Sequence, residues 1–367
     1  MLLRRLDITG VRNISHASLS PLAQINILHG QNGAGKTSVL ESVALLSSGK
    51  SFRSHKLDPL IQQGADRCIA FGEVYLDKRG FQPVGVERGR RNSPHQSAMI
   101  KVGGERVNSA SVLAENLPLQ VVYSDTFKLL EGSPSVRRQF LDWGVFHVEH
   151  SYYPLWKSAR RCLKQRNSLL RHGKIDTQQL SIWSAELADL GEKIDQLRQD
   201  YIRRLVPVFE DTMAKLIDID GIRMSYYRGW DKQRSLQETF ESHKERDIHQ
   251  GFTGFGPHRA DLRIRYNNAN AAETLSRGQQ KLVVCALRVA QGYLLSELVN
   301  KECLYLVDDL PAELDAGRRK VLCRLLEELG CQVIVTCVDP EDLRDCWSDK
   351  ADLAMFHVEH GTITKTK

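Results

Sequence analysis

The sequence contains no run of about 18 apolar residues, the length that a helix needs to cross a membrane. It also lacks an N-terminal stretch with a basic start and an apolar core, the pattern of a secretory signal peptide. Its eight cysteines include no C-x-x-C pair. These absences predict a soluble, cytoplasmic protein that has no membrane partner and keeps its buried thiols reduced.

Chain length and net charge restrict the domain organisation and the class of partner only weakly. The 367 residues suffice for one large domain with an insertion or for two domains, and a hydrophobic content of 41% supports a packed core. The net charge of +6 is compatible with binding to nucleic acid but does not by itself indicate it.

A phosphate-binding loop stands near the start of the chain. Residues 25–40 read INILHGQNGAGKTSVL, a complete match to G-x-x-x-x-G-K-[ST] between a strand pattern and a helix pattern. Successive backbone N–H groups can turn toward phosphate there, and the helix N-terminus adds positive potential. Lys36 is expected to reach the β- and γ-phosphates of ATP, and Thr37 to bind Mg²⁺. The predicted nucleotide-binding residues are Gly30, Gln31, Asn32, Gly33, Ala34, Gly35, Lys36 and Thr37.

The segment after the loop helix is basic. Residues 49–54 read GKSFRS, and the side chains of Lys50 and Arg53 follow the P-loop closely in sequence. Contact with the phosphates of nucleotide or DNA and exposure in a solvated loop both remain open for them.

An acidic motif near the other end of the chain completes the predicted site. Residues 303–309 read CLYLVDD, a buried apolar strand that ends in two carboxylates, as in a Walker B motif. Asp308 is expected to reach Mg²⁺ beside Thr37. Asp309 is expected to orient or deprotonate the attacking water.

The remaining pattern indicates two kinds of sheet. Short strands separated by turns predict an antiparallel sheet from 69–76, 82–87, 99–102 and 119–123. Strands that alternate with helices later in the chain predict a parallel sheet covered on both faces, at 303–307, 316–329 and 332–337.

Residues 151–247 are predicted to form an inserted helical lobe. A seam of apolar residues with heptad spacing over 187–208 predicts a long helix, which Pro207 is expected to kink or end. A turn at residues 171–174 would pack it against the helix before it.

That preceding helix, over 151–175, carries seven lysines and arginines and no acid. Four of them cluster within two helical turns and suit contacts with DNA phosphates, a solvated helix face being the alternative. We refer to these four as the basic stripe: Lys157, Arg160, Arg161 and Lys164.

Residues 275–280, LSRGQQ, resemble the LSGGQ signature of ABC-type ATPases. Ser276 and Gly278 begin a helix, where a hydroxyl and free N–H groups make an anion site. In that superfamily the signature meets the γ-phosphate on the P-loop of a second subunit, so the resemblance implies a head-to-tail dimer around two ATP. It also implies a D-loop that places Asp315 near the opposite site, and it adds Ser276 to Lys36, Asp308 and Asp309 as catalytic residues.

Several motifs in order resemble the RecF family of bacterial SMC-like ATPases across essentially the whole chain. They are the P-loop, the helical insertion, GPHR at 256–259, LSRGQQK at 275–281 and VDDLPAELD at 307–315. The resemblance implies an α/β, ABC-type ATPase head, with a P-loop parallel sheet plus an antiparallel sheet. The head is expected in residues 1–150 and 248–367, around the lobe in 151–247.

The same resemblance implies an activity and partners. The implied protein is a homodimer that forms with ATP and binds single- and double-stranded DNA, including gaps and stalled forks. It hydrolyses ATP slowly with stimulation by DNA, and it loads RecA together with RecR and RecO. Two positions depart from the pattern. Ala260 stands where an acid is expected after His258 and Arg259, and Thr336 follows the strand 333–335 where transporters have a histidine.

Two other functions compete with this one. The ATPase subunit of an ABC transporter-like complex would share the nucleotide site, but the basic stripe and the wide separation of P-loop and signature disfavour it. An ATP-gated nuclease needs a second carboxylate cluster, which the sequence does not provide. The pentapeptide FHVEH occurs at 146–150 and again at 356–360, and with no third ligand nearby it indicates chance more than a metal site.

Overall fold

The computed structural model describes residues 2–54, 56, 58–76, 79–91, 98–171 and 176–366. The chain forms two compact units. The first contains Met1–Phe127, Lys215–Ile217 and Lys281–Lys367, and the second contains Lys128–Ala214 and Asp218–Gln280. The boundaries expected at residues 150 and 247 both fall inside the second unit, and the predicted turn at 172–174 lies outside the described residues.

The first 122 residues supply the following elements of the first unit. They are β1 (Leu3–Val11), β2 (Ile14–Leu19), β3 (Ile25–His29), α1 (Lys36–Ser48), β4 (Arg67–Leu76), β5 (Gly80–Gly89), β6 (Ala98–Val102), β7 (Glu105–Arg106), α2 (Ser111–Asn116) and β8 (Leu119–Val122).

The middle of the chain is mostly helical. It contains α3 (Lys128–Glu131), α4 (Pro134–Val148), α5 (Tyr152–Arg171), α6 (Thr177–Leu216), β9 (Ile222–Tyr227), α7 (Leu236–Ser242), α8 (Lys244–Gln250), β10 (Asp261–Tyr266), β11 (Ala269–Asn270) and α9 (Ala271–Thr274).

The last part returns to alternating helices and strands. It contains α10 (Arg277–Val299), β12 (Leu304–Val307), α11 (Leu310–Glu313), α12 (Ala316–Glu328), β13 (Gln332–Cys337), β14 (Leu353–Glu359) and β15 (Thr362–Lys365).

A six-stranded sheet in the order β15-β14-β3-β13-β12-β8 carries the nucleotide motifs. All its neighbours are parallel except β14 and β15, which confirms the predicted parallel sheet. β8 belongs here and not to the antiparallel sheet in which its sequence pattern was interpreted, because Val122 pairs in parallel with Val307. Burial alternates along the strand, with Gln120 and Val122 buried, so the sequence pattern alone did not distinguish it from an antiparallel strand.

The antiparallel sheet has the order β2-β1-β4-β5-β6-β7, and α1 lies between it and the parallel sheet. Val39, Leu40 and Val43 of α1 are fully buried and share one core with Ile8 and Ile334. Eleven of the 13 residues of α1 are buried, so the helix is covered on several sides. The two sheets therefore hold α1 and fix where the P-loop delivers its backbone.

In the second unit, α6 is 40 residues long and contains Pro207 in its interior. The expectation that Pro207 ends the helix is wrong, because α6 continues to Leu216. Of the predicted seam, Leu187, Ile194 and Leu205 are almost fully buried.

One arginine of α5 lies in the interior. Arg166 is 1% exposed and pairs with Asp247 at 2.7 Å between Nη1 and Oδ2. It also donates to the hydroxyls of Ser184 (2.9 Å) and Thr253 (2.8 Å). A buried cation without these acceptors would carry a large desolvation cost. Arg166 therefore links α5 to α6, to α8 and to Thr253. Its position among the other cations of α5 gave no indication of this buried role.

Among the described residues, α10 alone has the length and hydropathy of a membrane span. This stretch was not recognised from the sequence. In the structure 67% of it is buried within the protein, as in a helix that belongs to a folded core.

Candidate nucleotide-binding site

The P-loop connects β3 to α1 through glycines in left-handed conformations. Gly30 and Gly35 have φ of 147° and 121°, which a side chain would strain. A Cβ on Gly30 would also collide with the carbonyl oxygen of Val358 in β14. The loop can therefore pass close to β14 and enter α1 at Lys36.

Lys36 is positioned by the loop itself. The side chain is 8% exposed, and Nζ donates to the carbonyl oxygens of Gly30 (2.6 Å) and Gln31 (3.1 Å). Its charge is thus held at the loop, where the phosphates of a nucleotide are expected.

The two halves of the predicted site meet in the first unit. Thr37 Oγ1 donates to Asp308 at 3.1 Å from Oδ1 and 3.0 Å from Oδ2. Asp308 directly follows β12, next to β13 and one strand removed from β3. The carboxyl ends of parallel strands meet at one edge of the sheet, which is where α/β proteins bind ligands. Residues 271 positions apart are brought together in this way.

Thr336 holds the Walker B carboxylate, a role that the sequence did not indicate. The residue lies inside β13 and is fully buried. Its Oγ1 donates to Asp308 Oδ1 at 2.9 Å and accepts from the Asp309 N–H at 2.7 Å. A hydroxyl can donate and accept through the same oxygen, so Thr336 fixes the Asp308 carboxylate and the backbone of Asp309 together.

The donor set beside the P-loop fits Mg²⁺. Burial raises the pKa of Asp308, whereas the hydrogen bonds from Thr336 and Thr37 lower it. Mg²⁺ is commonly held by one or two carboxylates, a hydroxyl, phosphate oxygens and water. Thr37 and Asp308 supply the hydroxyl and the carboxylate. Among the described residues no group of three or more His, Cys, Asp or Glu side chains is placed to hold a metal alone, and a magnesium site of this kind does not need one.

Asp309 has a conformation that is unusual for a residue with a side chain. Its φ of 52° is left-handed, and although it precedes α11 its side chain does not cap that helix. Such conformations concentrate at functional sites. The carboxylate remains available at the cavity described next, as the prediction for a water-orienting group requires.

A cavity of about 430 Å³ surrounds these groups. Its lining includes Asn32, Lys36, Thr37, Asp308 and Asp309, as well as Arg53, Ser124 and Glu313. Arg53 thus lines the candidate nucleotide site, whereas Lys50 is not part of the lining. Glu313 is held by Lys281, 2.7 Å from Oε2 to Nζ.

Asn13 was not predicted from the sequence as part of the site. Its Nδ2 donates to the carbonyl oxygens of Gly33 (3.2 Å) and Ala34 (3.0 Å), and its Oδ1 accepts from Ser38 at 2.9 Å. The turn between β1 and β2 therefore clamps the P-loop. The only sequence signal is a polar turn between two strands, which does not reveal its partner.

The signature residues are exposed. Ser276 and Gly278 lie on the surface where α10 begins, and a Cβ on Gly278 would meet no atom within 4 Å. Ser276 Oγ accepts from the Gln279 N–H (3.3 Å) while Gln279 Oε1 accepts from the Ser276 N–H, as in a capping box. Asp315 caps α12 through the Arg318 N–H at 3.0 Å.

The basic stripe is on the surface. All four of its residues are exposed, and the described part of the chain places no ion-pair partner on them. Arg160 lies over the ring of Trp156, with Cζ 4.7 Å from the centroid. The helix therefore presents cations at spacings of three and four residues along one face.

Comparisons with known proteins agree with this architecture. Residues 2–364 match the family model of the RecF/RecN/SMC N-terminal domain. The DNA replication and repair protein RecF of Pseudomonas paraeruginosa PA7 is 52% identical over 366 residues, covering 100% of this chain and 98% of the relative. RecF of Pseudomonas putida F1 is 53% identical, with 100% and 99% covered.

Solved structures show the same fold. The recombination mediator protein RecF with ATP, from the RecFOR pathway, has a TM-score of 0.86 at 23% identity, with 100% of this chain and 98% of that chain covered. The Smc head domain of Pyrococcus furiosus, bound to the C-terminal domain of ScpA, has a TM-score of 0.60 at 15% identity, with 100% and 96% covered. The mixed parallel and antiparallel sheets are thus those of an SMC-like ATPase head.

Proposed function

The chain belongs to the RecF family of DNA replication and repair proteins, and from this premise we propose that it is an ATP-dependent DNA-binding ATPase of recombinational repair. One observation carries the proposal: the hydrogen bonds between Thr37 and Asp308 join the P-loop to the Walker B strand. The relatives match the whole chain, so the transporter alternative is set aside. We expect the protein to act in the cytoplasm.

The residues have distinct roles in ATP binding. The loop from Gly30 to Gly35 surrounds the phosphates with backbone N–H groups, and Lys36 neutralises the β- and γ-phosphates. Thr37 and Asp308 would hold Mg²⁺, which would supply charge neutralisation of the phosphates. Asp309 orients water for hydrolysis. It is shorter than the glutamate usual in transporters, which is consistent with slow turnover. A solved relative described with ATP supports this assignment.

ATP acts as the link between two copies. The exposed Ser276 and Gly278 of one copy bind the γ-phosphate held by the P-loop of the other, and Asp315 lies near that junction. Hydrolysis separates the copies and so weakens DNA binding. In the RecFOR pathway we expect RecR, RecO and DNA as partners, and RecA loading on gapped or stalled-fork DNA as the outcome.

Replacing Ser276 by arginine is expected to abolish ATP-dependent dimerisation while leaving nucleotide binding by the single chain intact. The position is exposed, so the free energy of unfolding should change by no more than about 0.5 kcal/mol. An arginine there occludes the surface that must approach phosphate. Sedimentation velocity with a slowly hydrolysed ATP analogue measures the effect. Ser181→Arg, at an exposed position of α6, is the matched control. An unchanged dimer in Ser276→Arg would contradict the sandwich.

Reversing charge on three residues of the basic stripe is expected to weaken duplex DNA binding by roughly tenfold or more. The variant is Lys157→Glu, Arg161→Glu and Lys164→Glu. The slope of log affinity against log salt should also become shallower, by about 0.9 for each DNA phosphate that the variant no longer neutralises.

The control replaces three exposed lysines outside α5 by glutamate and so changes the net charge by the same amount. These lysines are Lys232, Lys320 and Lys350. If both triple variants weaken binding to the same extent, the effect is one of net charge and α5 is not the contact surface.

A further inference from the structure

A second cavity, distinct from the nucleotide site, lies beside the basic stripe. Its volume is about 390 Å³, and all of its lining belongs to the second unit. The walls are mainly apolar side chains of α5 and α6, namely Trp156, Leu163, Leu187 and Ile194. Ser135 and Gln139 of α4 add polar groups. A cavity of a few hundred cubic ångströms that combines apolar walls with polar groups is typical of sites for small organic groups.

The charges around this cavity favour an anion. Arg138, Arg160 and Arg198 line it against a single carboxylate, Asp142, which Arg198 neutralises at 2.7 Å. Burial lowers the pKa of His258 to about 4, so this lining residue is neutral at pH 7. The balance of three cations and one anion leaves a positive surplus beside apolar walls. A matching ligand has a flat or apolar body and a negative group.

Arg160 joins the cavity to the basic stripe. Its guanidinium lies over Trp156 (4.7 Å) and lines the cavity. Trp156 is in turn nearly parallel to Tyr153, at an interplanar angle of 22° and a centroid distance of 6.3 Å. A guanidinium placed over an indole can itself be covered by a further ring, and proteins commonly stack an unpaired base on aromatic or arginine side chains. Lys157, Arg161 and Lys164 continue the cationic line beyond the cavity, further than one carboxylate of a peptide would need.

We propose that this cavity receives one unpaired nucleobase of single-stranded DNA, stacked on Arg160, while the flanking phosphates lie along α5. The inference rests on the proposed DNA-binding function and adds what that function lacks, a means to distinguish a gap from continuous duplex. In duplex DNA every base is paired and stacked, so only a gap offers a base without an unpairing cost.

The test compares two gapped duplexes that differ only in the bases of the gap. One has normal nucleotides, and the other has abasic residues with the same phosphates, at one salt concentration. The intact gap should bind roughly tenfold more tightly than the abasic gap. Equal affinity would overturn the proposal, and it would do so without contradicting DNA binding on α5, which the triple charge reversal tests on duplex.

Arg160→Lys is the decisive variant because it keeps the positive charge and removes the planar guanidinium on which the base would stack. It should reduce the advantage of the intact gap to about twofold or less. Any change in the phosphate contacts of this residue affects the intact and the abasic gap alike. Arg171→Lys, at an exposed arginine of α5 outside the basic stripe, is the matched control and should retain the full advantage. Leu163→Trp, which fills the cavity, should act like Arg160→Lys.

Two outcomes would assign the cavity differently. If the advantage of the intact gap survives both Arg160→Lys and Leu163→Trp, the base is bound elsewhere. If base removal has no effect but an acidic peptide with an apolar C-terminal residue binds the native chain and not Leu163→Trp, the cavity is a peptide site.

Discussion

Replacing Lys36 by methionine is expected to abolish ATP-dependent dimerisation and to lower ATP hydrolysis by at least about 10²-fold. The substitution keeps an unbranched side chain, one atom shorter, but removes the ammonium that the carbonyl oxygens of Gly30 and Gln31 hold in place. Without this charge, the γ-phosphate is no longer neutralised by the chain's own loop. Hydrolysis is measured at saturating ATP with DNA present, and dimerisation by sedimentation.

Lys232→Met removes the same charge at an exposed position and should leave both properties unchanged. Circular dichroism separates loss of function from loss of fold. A Lys36→Met chain that still dimerises with ATP would show that the loop amides and Mg²⁺ suffice, and the proposed switch would then need another phosphate-binding group.

Replacing Arg166 by methionine is expected to lower the stability of the second unit by about 3–5 kcal/mol. The change leaves Asp247, which is fully buried, without its cation and leaves Ser184 and Thr253 without a donor. Methionine also replaces the guanidinium that lies over the ring of Phe240 at 4.5 Å. Because the chain has two units, hydrogen exchange of amides in α5 and α6 is the appropriate measurement.

Arg161→Met, on the exposed face of the same helix, should change the exchange free energies by no more than about 0.5 kcal/mol. The double variant Arg166→Met and Asp247→Asn should recover much of the loss, since no unpaired charge remains buried. If the double variant is as unstable as the sum of the two single variants, the pair makes no specific contribution and the cost arises from packing alone.

The nucleotide site could be predicted because its chemistry is local to each motif. The P-loop and the Walker B strand each contain the residues and the flanking pattern that define them, and the structure brings Thr37 and Asp308 together as expected. Thr336 and Asn13 could not be predicted in the same way. Their roles depend on which strand or turn lies next to the motif, and a hydroxyl or an amide does not reveal its partner.

The helix face of Arg166 was predictable, but its partner was not. Ala159, Cys162, Arg166 and Leu170 are among the buried residues of α5, at spacings of three and four, so Arg166 stands on the inner face of the helix. Asp247 is 81 residues away, beyond any local pattern. Counting the cations of α5 without their helical phase therefore overstated its surface charge.

The repeated pentapeptide shows a further limit. FHVEH at 146–150 runs through the end of α4, whereas the same letters at 356–360 lie mostly in β14. Short segments without a strong preference adopt the structure that their surroundings stabilise. At the second site β3 provides a ready strand edge, with His357 paired to His29.

The strand order has a consequence for how the protein is made on the ribosome. β3 is complete once residue 29 is synthesised, yet both of its neighbours, β13 and β14, begin only at residues 332 and 353. At the usual rates of translation this leaves β3 without either neighbour for about 15–60 s. An apolar strand with two open edges is prone to wrong pairing. We therefore expect that a chain truncated before β13 lacks a properly paired β3, and with it a formed nucleotide site, although every P-loop residue is present.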